Sequence, residues 1–198
     1  MSDTGAASAG PLLPRARAWV GEVHPHARHL LRTEGWVVEL DPAASQRLRL
    51  AAALHDIERA FPDAEATWDS ARDWDSPAYN RWHQDRCAEI ASAWLRGQGA
   101  PAPLVDEVDK LIRVHEDGGW PEADLLQAAD SLSFLETMTP LVVGWVERGR
   151  APRERAVAKV RHSVERMAPH LQRARDLAAP YLEEALLEVS GAREGAPR

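Results

Sequence analysis

Cysteine is almost missing from this 198-residue chain: Cys87 stands alone, so no disulfide can close within it. A single thiol is consistent with a reducing compartment. No apolar run approaches the ~20 residues that a membrane-spanning helix needs. No stretch alternates apolar with polar residues at the period of a half-buried strand. A basic excess is lacking too. Lys and Arg number 24 against 31 Asp and Glu, a formal net charge of −7. Nucleic-acid-binding domains usually carry the opposite sign on a patch or stripe. A small phosphorylated substrate is not excluded, because a bound metal and a few arginines outweigh a distant field. Met1 to Gly10 has neither the charged start nor the apolar centre of a secretory leader. These absences lead us to expect a cytoplasmic protein, with no membrane and no nucleic acid among its partners.

What is present favours helix. Apolar residues make up 44% and charged residues 28%, an ordinary globular mixture, and Ala, Leu, Arg and Glu, all good helix formers, dominate. The length suits one domain with tails. The expected fold is all-α. Residues 1–11 are expected to form a disordered tail, 12–138 a helical domain, 139–190 a C-terminal helical extension packing on it, and 191–198 a second disordered tail. Asp41-Pro42 looks like a helix start, with an N-cap acceptor and a proline at the first position. That helix is expected to run to about Arg59. Phe61 to Ser76 reads as a long polar loop, either a functional one such as a lid or a solvated variable insertion. Ser76-Pro77 opens a helix to about Arg96, and another runs from about 102 to Glu116. A helix over 121–138 and a short apolar one at 141–146 follow. The Arg/Glu-rich region from Pro152 to Val189 is expected to break at Pro169 and Pro180.

The chain is organised around Leu54-His55-Asp56-Ile57-Glu58, at the end of the apolar run Leu48 to Leu54. A neutral imidazole offers a nitrogen lone pair, and a carboxylate offers two oxygens that can bridge two ions. Alone, this dipeptide carries little. Upstream lies His26; downstream lie His83, His115 and Asp130, each beside apolar residues at helical spacing.

In this order the residues resemble the HD-domain superfamily of metal-dependent phosphohydrolases, whose pattern is H…HD…D. With His83 and His115 they resemble its subset H…HD…H…H…D, which holds two metals. The phrases LAAALHDI, HQDRCAEIASAWL, VDKLIRVHED and LLQAADSLSFLE carry the likeness, which covers about residues 20–137. The resemblance implies an HD-like helical bundle around one or two divalent ions (Mn, Fe, Co, Ni or Zn). The implied ligands are His26, His55, Asp56, His83, His115 and Asp130. It also implies hydrolysis of a small phosphorylated molecule, such as a nucleotide. His24 and His29 are alternatives for the first ligand. His26 is preferred because HARHLL best matches the family's first-histidine helix, although His29 stands where the family commonly has arginine.

Around these residues, Asp56 and Glu58 are the candidate catalytic groups, Glu58 as an orienter of a metal-bound water or as an exposed helix-end carboxylate. HDIER departs from the HD-x-x-E-D arrangement of alarmone hydrolases. Arg59, Arg81, Arg86, Lys110 and Arg113 are candidate phosphate-binding cations. Cys87 reads as core packing, Trp68 and Trp74 as core or pocket lining, and His162 and His170 as solvated. The ligand set also resembles di-iron oxygenases of the same superfamily. A third reading is a non-catalytic HD-fold module, whose Arg/Glu-rich extension suits a partner surface, including that of a second copy in a homodimer.

Overall fold

The computed structural model describes residues 11–63 and 66–195. The expected disorder of residues 1–10 and 196–198 lies outside them. Within them the chain is all-helical, with no strand. The helices are α1 (Leu12–Val23), α2 (Ala27–Leu40), α3 (Gln46–Leu54), α4 (Ser70–Asp73), α5 (Pro77–Gly97), α6 (Ala102–Ile112), α7 (Pro121–Thr137), α8 (Thr139–Glu147), α9 (Arg153–Glu165) and α10 (Gln172–Gly191). A 3-10 turn, Ile57–Ala60, follows α3. Among the described residues no helix is long and apolar enough to cross a membrane.

Helix α3 is the centre. Leu48, Leu50, Ala51, Ala52, Ala53 and Leu54 are all buried, so the helix is apolar all round, as a fully enclosed helix must be. It packs against α1, α2, α6 and α7. Its alanines let the neighbouring backbones approach, and its three leucines each contribute about 1.5–3 kcal/mol of burial. The most extensive pairing is α2 with α7, and it joins the segments carrying His29 and Asp130. From the extension, α9 and α10 pack on α7.

Several boundaries differ from expectation, each for a local reason. Helix α2 continues to Leu40 because Trp36 and Val37 are buried on its inner face. Asp41 therefore ends a helix instead of starting one, and its carboxylate accepts from the Ala43 N–H in a tight turn. The cap of α3 is Ser45, whose hydroxyl accepts from the Leu48 N–H. Helix α3 stops at Leu54, and α6 stops at Ile112, so Asp56 and His115 sit in turns just beyond helix ends. The polar loop contains the short α4, capped by the Asp69 carboxylate. Pro180 lies inside α10 on an exposed position and does not break it. The described part of the expected C-terminal tail is packed: Ala192 is buried and the Gly195 N–H donates to the Val146 carbonyl.

Candidate metal centre

Four histidines meet three carboxylates at the C-terminal end of α3. His29 comes from the first turn of α2, His55 from the end of α3, His83 from α5 and His115 from the turn after α6. All four are buried. Each has its Nδ1 committed to a neighbour. His55 Nδ1 lies 2.9 Å from the Ala52 carbonyl, and His115 Nδ1 2.7 Å from the Ile112 carbonyl. A carbonyl only accepts, so both Nδ1 atoms carry the proton. His83 Nδ1 is 3.1 Å from Glu58 Oε1. His29 Nδ1 is 3.0 Å from Ser133 Oγ, whose own proton goes to the His29 carbonyl. Ser133 therefore accepts, and His29 Nδ1 donates.

The four Nε2 atoms consequently point inward, at acids. His29 and His55 Nε2 each lie 3.2 Å from Asp130 Oδ1. His83 Nε2 is 2.8 Å from Asp56 Oδ1, and His115 Nε2 is 3.9 Å from both Asp56 Oδ1 and Glu116 Oε1. The Nε2 atoms of His55, His83 and His115 are buried without a hydrogen bond of acceptable geometry, although His83 is close enough to Asp56 for charge attraction. Such orphaned atoms are rare and call for a specific cause.

Charge follows the same layout. Burial disfavours the charged form of every group here. At His55 the neighbouring Asp130 and Asp56 outweigh it and hold the ring above its ordinary value. At His83 burial is likewise outweighed, by Cys87 first and then Asp56, and the ring is held well above. His115 goes the other way, to about 3, through burial and the like charges of His55 and His83. At Asp56 the Arg59 guanidinium and His83 overcome burial and hold the carboxyl well below its usual range. At Asp130, His55 and His29 do the same. His115 is thus a neutral ring whose bare lone pair faces carboxylates, an arrangement that a cation between them would satisfy. The donor atoms of His29, His55 and Asp56, of His83, His115 and Glu116, and of Asp56, His83 and Cys87 are close enough that each group could hold a metal ion.

Supporting contacts fix these side chains. At Asp56 the backbone leaves helical geometry (φ −106°, ψ 13°). Its carbonyl accepts from His24 Nε2 at 3.1 Å, while His24 Nδ1 accepts from the His26 N–H. Gln84 Oε1 accepts from the Glu116 N–H and Gln127 Nε2 donates to the Glu116 carbonyl. Two buried amides thus hold the turn that carries His115. Arg166, at the end of α9, donates to Asp130 Oδ2 at 2.5 Å and pairs with Glu116.

Above the cluster opens a cleft with about 860 Å³ of empty space, part of it open to solvent. Asp56, Glu116 and Asp130 lie at its floor. Arg59, Arg150, Lys159 and Arg166 line its walls, and Trp74, Phe134, Met138, Leu141 and Trp145 form an apolar side.

The structure brings His55, Asp56, His83, His115 and Asp130 together, as the sequence led us to expect. His26 is a correction. It sits at the N-cap of α2 on the cleft wall, while His29, one turn further in, reaches the carboxylates. Glu58 is another: it is buried and turned to His83 Nδ1, so it orients an imidazole and faces away from the cleft floor. Of the five expected cations only Arg59 lines the cleft. Arg86 bonds the Phe61 carbonyl, Lys110 lies over Trp120, Arg113 pairs with Asp85 and Asp109, and Arg81 is exposed elsewhere. Trp74 is buried on the cleft, Trp68 is exposed, and His162 is half-buried against Trp74 at 5.3 Å instead of solvated. Cys87 is buried with its thiol pushed up by burial, and its Sγ lies 3.8 Å from His83 Nδ1.

Sequence reasoning missed Glu116, Arg150, Lys159 and Arg166. Glu116 had a signal, since it adjoins His115. The three cations lie in the extension, where no pattern marked them among many exposed arginines.

No family model matches the chain, and comparison with curated proteins and with solved structures found no match.

Proposed function

We propose that this chain is a metal-dependent phosphohydrolase of HD type acting on a small phosphorylated molecule such as a nucleotide. One observation carries the reading: buried imidazoles with their Nδ1 atoms committed converge their Nε2 atoms on shared carboxylates, and the Nε2 atoms of His55, His83 and His115 have no hydrogen bond of acceptable geometry. Second-neighbour bonds of this kind select the ligating tautomer in metal sites. His29, His55, Asp130 Oδ1 and Asp56 Oδ2 would form one half of the centre. His83, His115, Asp56 Oδ1 and Glu116 would form the other, with Asp56 shared. One or two divalent ions held there would supply Lewis acidity toward phosphoryl oxygens and lower the pKa of a bound water.

The chain's own groups do the rest. Arg59 and Arg166 hold the floor carboxylates in place, and Arg59 keeps Asp56 charged. Glu58 and Ser133 fix ring orientation at His83 and His29. The cations of the wall face the position of a phosphate over the floor, where charge-assisted bonds are strong. The net reaction adds water across a P–O ester bond, releasing an alcohol and phosphate.

The test is a panel of nucleotides and sugar phosphates, assayed anaerobically with protein loaded with Mn, Co, Ni, Fe or Zn. Phosphate release that is lost in Asp56→Ala supports the proposal. Turnover that requires iron and consumes oxygen would overturn it in favour of the oxygenase.

A further inference from the structure

Each cation on the cleft wall has a carboxylate partner except one. Arg59 lies 3.3 Å from Asp56, Arg150 2.9 Å from Asp69, and Arg166 is shared by Asp130 and Glu116. Among the described residues, no carboxylate lies within 4.0 Å of the Lys159 ammonium. Its neighbours are aromatic faces instead: Nζ is 5.1 Å from the Phe134 ring centre and 5.5 Å from that of Trp74. Aromatic faces position a cation without cancelling its charge. Burial pulls the ammonium pKa down, and the charge of Asp130 partly restores it from beyond contact distance. A cation held in a cleft, short of a counter-ion and within reach of the metal cluster's field, is arranged for an anion that arrives with the substrate.

We infer that Lys159 is the residue that binds the substrate's phosphate, and that the substrate is a monophosphate ester with a compact apolar body. The inference rests on the reading of the cluster as a phosphohydrolase site. Phe134, Met138, Leu141 and Trp145 give the ester's organic part an apolar wall, as ligand clefts lined by apolar side chains with a few placed polar groups do. A triphosphate would bring two further anionic groups, for which the described wall holds no unpaired cation. Lys159 belongs to α9, so the C-terminal extension supplies the substrate contact while the core supplies the metal ligands.

The experiment compares the Mn-loaded parent with Lys159→Met and Lys159→Arg. Metal content and the helical circular dichroism spectrum should match in all three. Inorganic phosphate, titrated by calorimetry, should bind Lys159→Met at least about tenfold more weakly, the worth of one charge-assisted bond, and Lys159→Arg should recover most of the loss. With phenyl phosphate and adenosine monophosphate as probes, Lys159→Met should raise KM more than it lowers kcat, and phenyl phosphate should be the better of the two. Adenosine triphosphate should be the poorest substrate. Equal phosphate affinity in parent and Lys159→Met overturns the assignment of Lys159, even if esters are hydrolysed. Adenosine triphosphate turned over as well as the monophosphate overturns the substrate class. Lys159-dependent phosphate binding without hydrolysis of any ester removes the phosphohydrolase reading and leaves the anion site standing.

Discussion

Asp56 Oδ1 lies 2.8 Å from His83 Nε2 while its Oδ2 lies 4.0 Å from His29 Nε2, so one carboxylate joins imidazoles of α5 and α2. The two halves of the cluster therefore depend on each other through one side chain. Protein loaded with Mn and stripped of excess ion should hold about two ions per chain, as paired-metal sites with a shared carboxylate do. Asp56→Ala should lose most of both. The double variant His83→Ala, His115→Ala should keep about one. A fully loaded parent with a single ion would show that the His83 and His115 side is structural.

The choice between His26 and His29 separates two otherwise similar histidines. His29 Nε2 is 3.2 Å from Asp130, with Ser133 behind its Nδ1. His26 caps α2 without a side-chain bond to the helix. Losing a ligand, or the partner that orients it, typically weakens metal binding by about 10–100-fold or more. His29→Ala should show at least that loss, Ser133→Ala a smaller one, and His26→Ala metal affinity close to the parent's. Competition with a chromophoric chelator measures all three. A stronger effect at His26 than at His29 would return the first ligand to the rim.

The fold class and most of the cluster were legible because they rest on local signals. The run Leu48 to Leu54 is apolar all round, which marks a central helix, and His55-Asp56 closes it. His26 and His29 were not separable by pattern. Both precede apolar residues at helical spacing, and the deciding fact is which of them the packing of α2 on α7 turns toward Asp130. That same packing puts Ser133 of α7 behind His29, 104 positions apart in the chain. Glu58 reads as exposed from its place at a helix end, yet the chain turns there into a 3-10 segment and carries it inward. Lys159 and Arg166 were invisible because a charged helix reads as a solvated face until its neighbours are known.

Arg166 should behave unlike the other arginines of the extension. Its side chain is 8% exposed and bonds two carboxylates at the floor of the cleft, and burial lowers its pKa to about 10. Removing one partner of a buried ion pair strands the other, at a cost of about 3–5 kcal/mol. Arg166→Met should destabilise the metal-free protein by roughly that amount in urea unfolding. Arg150→Met, whose partner Asp69 is 35% exposed, should cost less than about 1 kcal/mol. Similar costs for both would mean that water screens Arg166 as well.

Acid should destabilise the metal-free protein earlier than its carboxylates alone would cause. His115 falls from an ordinary 6.5 to about 3 in the folded chain, so the unfolded chain binds its proton first. The stability that this neutral ring contributes is complete above pH 6.5 and is lost progressively as pH falls toward about 3. Each unit costs up to about 1.4 kcal/mol. His24, His26 and His162, also lowered by burial, add in the same direction by smaller shifts. His55 and His83 are raised, so their contribution is complete below 6.5 and fades only as pH rises above it. Asp56 and Asp130 are depressed and begin to matter below their unfolded value of 3.8. Between pH 6.5 and about 4 the slope therefore belongs mainly to His115. Urea unfolding of chelator-treated protein at half-unit steps should show stability falling with pH across that window. His115→Gln should flatten the slope, whatever it does to stability at neutral pH. An unchanged slope in His115→Gln would mean that the ring takes up its proton in the folded chain as easily as in the unfolded one, and that its Nε2 is not the bare lone pair on which the metal-centre reading depends.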